Sequence, residues 1–116
     1  MNEFVIYHNP RCSKSRTTLS LLEENGITPE IVLYLENPLS TGEINVLLEK
    51  LGVGAAQLVR RGEADYKEAG LGADSGNTEI VAAMAARPKL IERPVVVKGD
   101  RAVLGRPPEN VLELIS

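Results

Sequence analysis

A four-residue apolar run, Phe4-Val5-Ile6-Tyr7, is followed at once by the polar stretch His8-Asn9-Pro10-Arg11-Cys12-Ser13-Lys14-Ser15-Arg16 and then by an amphipathic segment carrying Leu19, Leu21 and Leu22. A continuous apolar run of this length suits a buried strand, and leucines three apart suit one face of a helix. The order is therefore strand, turn, helix, over about Lys14 to Asn25, with Gly26 placed to end the helix. The chain's single cysteine falls at the turn-to-helix junction. There it meets free backbone N–H groups and the positive end of the helix dipole, both of which favour a thiolate. A free thiol titrates near ~8.5, and such placements bring it to roughly 3.5–7.5. A lone cysteine is often only a small buried hydrophobe. The neighbours here are polar and basic, and Arg11, Lys14 and Arg16, with His8 when protonated, add positive charge. The stretch reads as an activated thiol beside an anion-binding pocket.

Cysteine count bounds the chemistry further. One cysteine and one histidine exclude an internal disulfide and a multi-cysteine or multi-histidine metal centre. Any redox cycle at Cys12 needs a thiol from another molecule. A reduced, cytoplasmic setting is expected, with no signal segment and no run of ~18 apolar residues for a membrane helix. The formal charge of −3 argues against general nucleic-acid binding. With 116 residues, 43% of them hydrophobic, no tryptophan and one phenylalanine, a single domain with an aliphatic core is expected.

Further along, Glu30 to Leu35 reads as a second strand. Joined to the first through one helix, it is expected to lie parallel to it with a right-handed crossover. Ser40-Thr41-Gly42-Glu43 has capping-box spacing, and Ile44, Leu47, Leu48 and Leu51 follow at i, i+3, i+4 and i+7 before Gly52. From Gly54 to Met84 the pattern is helical but broken by glycines, with Asn77 or Thr78 as cap for a helix through Ile80, Val81, Met84 and Ala85. Residues of about 40–88 thus read as a helical insertion. Glu92 to Val97 is a third strand, Lys98-Gly99-Asp100 a tight turn, and Arg101 to Leu104 a fourth strand, antiparallel to the third. Gly105-Arg106-Pro107-Pro108 leads into a last helix buried through Val111, Leu112 and Ile115. The fold class is α/β: a four-stranded mixed sheet in the order βαβ, helical block, ββα.

A βαβ half and a ββα half with a cysteine at the first helix resembles the thioredoxin fold. Four stretches resemble one branch of it, the glutaredoxin-coupled arsenate reductase family: Tyr7-His8-Asn9-Pro10-Arg11-Cys12, Tyr34-Leu35-Glu36-Asn37-Pro38, Glu92-Arg93-Pro94-Val95 and Gly105-Arg106-Pro107. They occur in the family's order over nearly the whole chain, and the chain is most similar to the short, arsenate-reductase-like members. The resemblance implies that Cys12 is the nucleophile that attacks arsenate, that Arg60, Arg93 and Arg106 bind the oxyanion, and that His8 favours the thiolate. It implies arsenite release, glutathione as thiol co-substrate with no bound cofactor, and glutaredoxin as partner. Ser15 stands where dithiol relatives have a second cysteine, and its hydroxyl is placed to bond the Cys12 sulfur. The resemblance also implies a cis bond before Pro94. Guanidinium groups suit this chemistry, since they bind tetrahedral oxyanions through paired, charge-assisted hydrogen bonds.

The residues leave several points open. Arg60 and Arg61 are adjacent, and sequence does not say which points inward. His8 is either an ordinary turn residue or a support for the thiolate. A glutathione-dependent thiol oxidoreductase with another substrate is the alternative enzyme. An RNA polymerase-binding regulator, another kind of relative, would switch through Cys-x-x-Cys, which Ser15 breaks. A phosphatase-type arsenate reductase needs arginine six after the cysteine, where this chain has Thr18.

Overall fold

The structure, a computed structural model, describes residues 3–115. The chain divides into two compact units, one built from the segments up to Asn37 and from Arg93 onward, the other spanning Pro38–Glu92.

The first unit is a four-stranded mixed sheet in the order β2-β1-β3-β4. Strand β1 (Phe4–Tyr7) pairs parallel with β2 (Glu30–Val32) and antiparallel with β3 (Val95–Lys98), which pairs antiparallel with β4 (Arg101–Leu104). The parallel pair is connected by helix α1 (Ser13–Glu24). Gly99 at φ 62 makes the tight β3–β4 turn, a backbone region that glycine enters without the Cβ clash other residues meet. One face of the sheet packs on α1 and on the C-terminal segment, where Ile6, Leu22, Val96, Val111 and Leu114 form a fully buried cluster. Each such side chain contributes about 1.5–3 kcal/mol on burial.

Two expectations shift here. The second strand stops at Val32 rather than Leu35, because the Glu36 and Asn37 N–H groups turn back to the Leu33 carbonyl (3.0 and 2.9 Å). Tyr34 is therefore buried from a turn, not from a strand. The last helix begins as a 3-10 turn, Pro108–Val111, before α6 (Leu112–Ile115). The tighter turn brings i and i+3 into line, so Val111 and Leu114 are the buried pair, while Leu112 is 41% exposed and Ile115 half-buried.

The second unit is helical. Helix α2 (Thr41–Leu51) has the full capping box: Ser40 Oγ accepts from Glu43 N (3.1 Å) and Glu43 Oε1 from Ser40 N (3.0 Å). Gly52 ends it in the left-handed region. Short helices α3 (Ala55–Leu58) and α4 (Ala64–Glu68) precede α5 (Asn77–Ala86), which packs on α2 and α3. The cap of α5 is Gly76, not Asn77 or Thr78. Asn77 Oδ1 instead accepts from Ala55 N (2.9 Å), so it serves the start of α3. An antiparallel bridge between Val59 and Ile91 fixes the chain before Glu92. Among the described residues, no helix is long and apolar enough to cross a membrane.

Candidate active site

Strand register decides which side chains meet. Tyr7 lies opposite Val95, and Val95 opposite Leu104. The loop leaving β1, the segment entering β3 and the segment leaving β4 therefore gather at one end of the sheet. Cys12, Arg93 and Arg106 lie on those three segments. Gly105 N continues the ladder by donating to Pro94 O (2.9 Å). The Arg93–Pro94 bond is cis, as the resemblance implied, and the Arg106–Pro107 bond is cis as well.

The loop that carries the thiol is held by its own polar groups. Asn9 is buried; its carbonyl accepts from Cys12 N (3.0 Å), its Oδ1 from Arg11 N (3.0 Å), and its N–H donates to Ser15 Oγ (3.1 Å). Arg16 Nη1 donates to Pro10 O (2.8 Å). Cys12 is the N-cap residue of α1, extended at φ −94 and ψ 122. That conformation turns the free N–H groups of the first helical turn toward its side chain.

Burial pushes the Cys12 thiol up. The Ser15 N–H, the Arg93 guanidinium that hydrogen-bonds the sulfur, the Lys14 N–H and the charge of Arg93 outweigh it, and the pKa falls below its ordinary value. Sequence reasoning assigned that charge to Arg11, Lys14, Arg16 and a protonated His8. The structure corrects this: Arg11, Lys14 and Arg16 are solvent-exposed, and the cation that acts on the sulfur comes from the other end of the chain.

His8 and Ser15 are also placed differently from expectation. Ser15 is fully buried, and its hydroxyl bonds His8 Nδ1 (2.6 Å) rather than the sulfur; only its backbone N–H serves Cys12. Ser15 Oγ thus bridges the Asn9 N–H and the His8 ring, joining two buried residues of the loop. Burial and then the Arg16 charge lower the His8 pKa below 6.5. At neutral pH His8 is uncharged and supports the thiol by bracing the loop.

A pH dependence follows. The folded protein binds the His8 proton more weakly than the unfolded chain, so stability from neutral His8 is complete above pH 6.5 and is lost as pH falls through the folded value. Urea midpoints measured from pH 7.5 downward should decline below 6.5 in the parent. The decline in that window should be shallower in His8→Asn. Parallel curves would show that His8 does not carry it.

Arg106 Nη1 donates to Arg93 O (3.1 Å), so the two arginines are tied through the backbone that presents the first of them. Arg93 Nε is buried with no hydrogen-bond acceptor, a donor left unsatisfied at this end of the sheet. Arg60 lies in the other unit. Its backbone N donates to Leu90 O (2.7 Å), and its guanidinium pairs with Glu92 (Nη1–Oε1 3.0 Å) and with Glu63 (Nε–Oε1 3.5 Å). Of the adjacent pair, Arg60 is half-buried and Arg61 exposed. Within the first unit, against the loop that carries the thiol, a cavity of about 410 Å³ is lined by His8 to Arg11 and by Leu33, Leu35 and Glu36. Among the described residues, no group of three or more His, Cys, Asp or Glu side chains could hold a metal ion.

Residues 7–114 match the ArsC family. The chain belongs to the ArsC family. It is 54% identical over 113 residues to a protein of Escherichia coli K12 named uncharacterized protein YfgD, covering 95% of this chain and 94% of that one. It is 46% identical over 113 residues to an arsenate reductase of Haemophilus influenzae, covering 96% and 97%. Among solved structures, an arsenate reductase from Vibrio cholerae superposes with a TM-score of 0.91 at 49% identity, over 95% of each chain. The ArsC fold is thioredoxin-like, and the mixed sheet with its flanking helices is this chain's version of it.

Two contributors escaped sequence reasoning. Thr18, fully buried on α1, donates to Lys14 O (2.8 Å) and lies 3.5 Å from Gly105 O. Gly105 sits so close to Thr18 and Pro94 that no side chain fits. Their contact has no local sequence signal, because Thr18 and Gly105 lie 87 positions apart.

Proposed function

We propose that this ArsC protein is an arsenate reductase acting as a single catalytic domain, with Cys12 as nucleophile and glutathione and glutaredoxin as the outside thiols. The observation that carries the reading is the Arg93 guanidinium at the Cys12 sulfur, with Arg106 tied to Arg93 beside it. A thiolate is populated near neutral pH only when its pKa is lowered. The same guanidinium groups offset charge that develops on the oxyanion during attack.

The cycle balances without a bound cofactor. The Cys12 thiolate attacks arsenic, and one arsenate oxygen leaves as water, giving a sulfur–arsenic(V) bond. Glutathione thiolate then attacks the Cys12 sulfur. A sulfur–sulfur bond forms, the sulfur–arsenic bond breaks, and its electron pair stays on arsenic, which departs as arsenite. Glutaredoxin thiol removes glutathione from Cys12 as a disulfide. Because the chain has one cysteine, no internal thiol can substitute. The cavity of about 410 Å³ beside the nucleophile loop offers room for a small thiol. A reduced cytoplasm supplies the donors this cycle needs.

Arg93 and Arg106 are the proposed principal oxyanion ligands. The family resemblance names Arg60 as a third, and part of its charge is already offset by Glu92 and Glu63. The test is arsenite release with glutathione and glutaredoxin. Arg93→Ala and Arg106→Ala should each lower kcat/KM by about 10²-fold or more, the range for losing one preorganised donor to a developing anion. Arg60→Ala should cost less. Undiminished activity in all three variants would remove the oxyanion site. Reduction of glutathione mixed disulfides without arsenite release would assign the thiol oxidoreductase instead.

A further inference from the structure

Asn110 lies in the C-terminal 3-10 turn, far in sequence from the thiol, and its side-chain amide makes two bonds to one short segment. Nδ2 donates to Leu104 O (3.1 Å) and to Arg106 O (3.3 Å). Its backbone N donates to Pro107 O (3.0 Å). Leu104 is the last residue of β4, and Arg106 follows two residues later, outside the ladder. The Gly105–Pro94 bond and the Thr18 Oγ1–Gly105 O contact also hold that segment, but neither reaches the Leu104 or Arg106 carbonyl.

We propose that Asn110 is a positioning residue, whose amide clamps the Leu104–Arg106 segment so that Arg106 caps the Arg93 carbonyl and Arg93 is aimed at the Cys12 sulfur. The route is continuous. Asn110 Nδ2 holds Arg106 O, Arg106 Nη1 holds Arg93 O, and the Arg93 guanidinium meets the sulfur. An amide suits the position because both acceptors are carbonyls and NH₂ offers two donors. A carboxylate of the same shape offers none and would face two carbonyl oxygens. The amide is half-buried, which shields these bonds from competing water.

The part of this inference that concerns Arg106 as an anion ligand rests on the arsenate reading. The part that concerns aim at Cys12 does not, and it is tested without arsenate. The rate of Cys12 alkylation by iodoacetamide is measured against pH in the full chain, for the parent, Asn110→Ala, Asn110→Asp, Arg93→Ala and Val111→Ala. Arg93→Ala fixes the full displacement of the midpoint toward higher pH. Asn110→Ala and Asn110→Asp should move the midpoint in the same direction by a smaller amount. Val111→Ala, which opens a cavity in the same turn but touches none of these bonds, should lower Tm and leave the midpoint in place.

In arsenite release, the Asn110 variants should raise KM for arsenate several-fold. Unmoved midpoints in both folded Asn110 variants would overturn the proposal, as would an equal shift in Val111→Ala. Should one Asn110 variant fail to fold, the other decides. A shifted midpoint in a protein that releases no arsenite would uphold the positioning role while defeating the arsenate reading.

Discussion

Replacing Cys12 with serine should abolish arsenite release while leaving the fold as stable as before, or slightly more so. The chemical half of the expectation follows from electron counting. Two sulfur atoms must supply the electron pair that reduces arsenic, and an alcohol oxygen cannot form the disulfide that completes the transfer. Its hydroxyl is also protonated at neutral pH, so attack on arsenic is lost as well. The structural half follows from position. Residue 12 is the N-cap of α1, and serine is among the preferred N-caps, worth ~1 kcal/mol over residues that cannot cap. Loss of activity with an unchanged or raised Tm therefore separates chemistry from folding. Arsenite release by Cys12→Ser near the parent rate would place the reaction elsewhere.

A methyl group added at Gly105 should have the largest structural effect of any conservative change in the sheet unit. The new Cβ would lie 2.6 Å from Thr18 Oγ1, 2.8 Å from Pro94 Cγ and 3.0 Å from Thr18 Cγ2. Neither neighbour can withdraw easily. Thr18 is fully buried and bonded to Lys14 O, and Pro94 is a buried ring between Arg93 and β3. Overpacking of this kind costs about 1–3 kcal/mol and occasionally more, and three short contacts from two sides place Gly105→Ala at the upper end. For a chain of this size that is a fall in Tm of about 10 °C. The displaced elements are α1 and the segment entering β3, which carry Cys12 and Arg93. Thiol reactivity at neutral pH should fall in the same variant. A double change, Gly105→Ala with Thr18→Ser, removes one of the clashing atoms and should recover part of the loss. Gly105→Ala melting with the parent would show that the backbone has room to shift there.

Local signals were read well where an element is stabilised by its own residues. The Ser40 capping box with Ile44, Leu47 and Leu48 at i, i+3 and i+4, the Gly99 hairpin and the strand–cysteine–helix junction all stand as the sequence indicated. Those signals involve residues within a few positions of one another, and chain connectivity alone brings them together. Local pattern and structure part where packing or a distant partner decides. The turn at Leu33 overrode an apolar run that extends to Leu35. The 3-10 start of the last helix rotated its buried face from Leu112 and Ile115 to Leu114. Asn77 was drawn from capping its own helix to serve Ala55, twenty-two positions away.

The candidate site divides along the same line. A sulfur at the entrance to a helix, and the lack of a second thiol to pair with it, follow from one cysteine and its immediate neighbours. The source of its charge does not. The cations close in sequence are exposed and Arg16 is spent on the Pro10 carbonyl, while Arg93 reaches the sulfur because Tyr7, Val95 and Leu104 stand side by side in three strands. The charge state of His8 was likewise set by burial, which no local pattern announces. Sequence alone determined the order of elements and the place of the single cysteine at the start of a helix, since both are encoded within short stretches of chain. The tertiary structure alone decided which cation acts on that sulfur, because strand register brings residues eighty and more positions apart to the same end of a sheet.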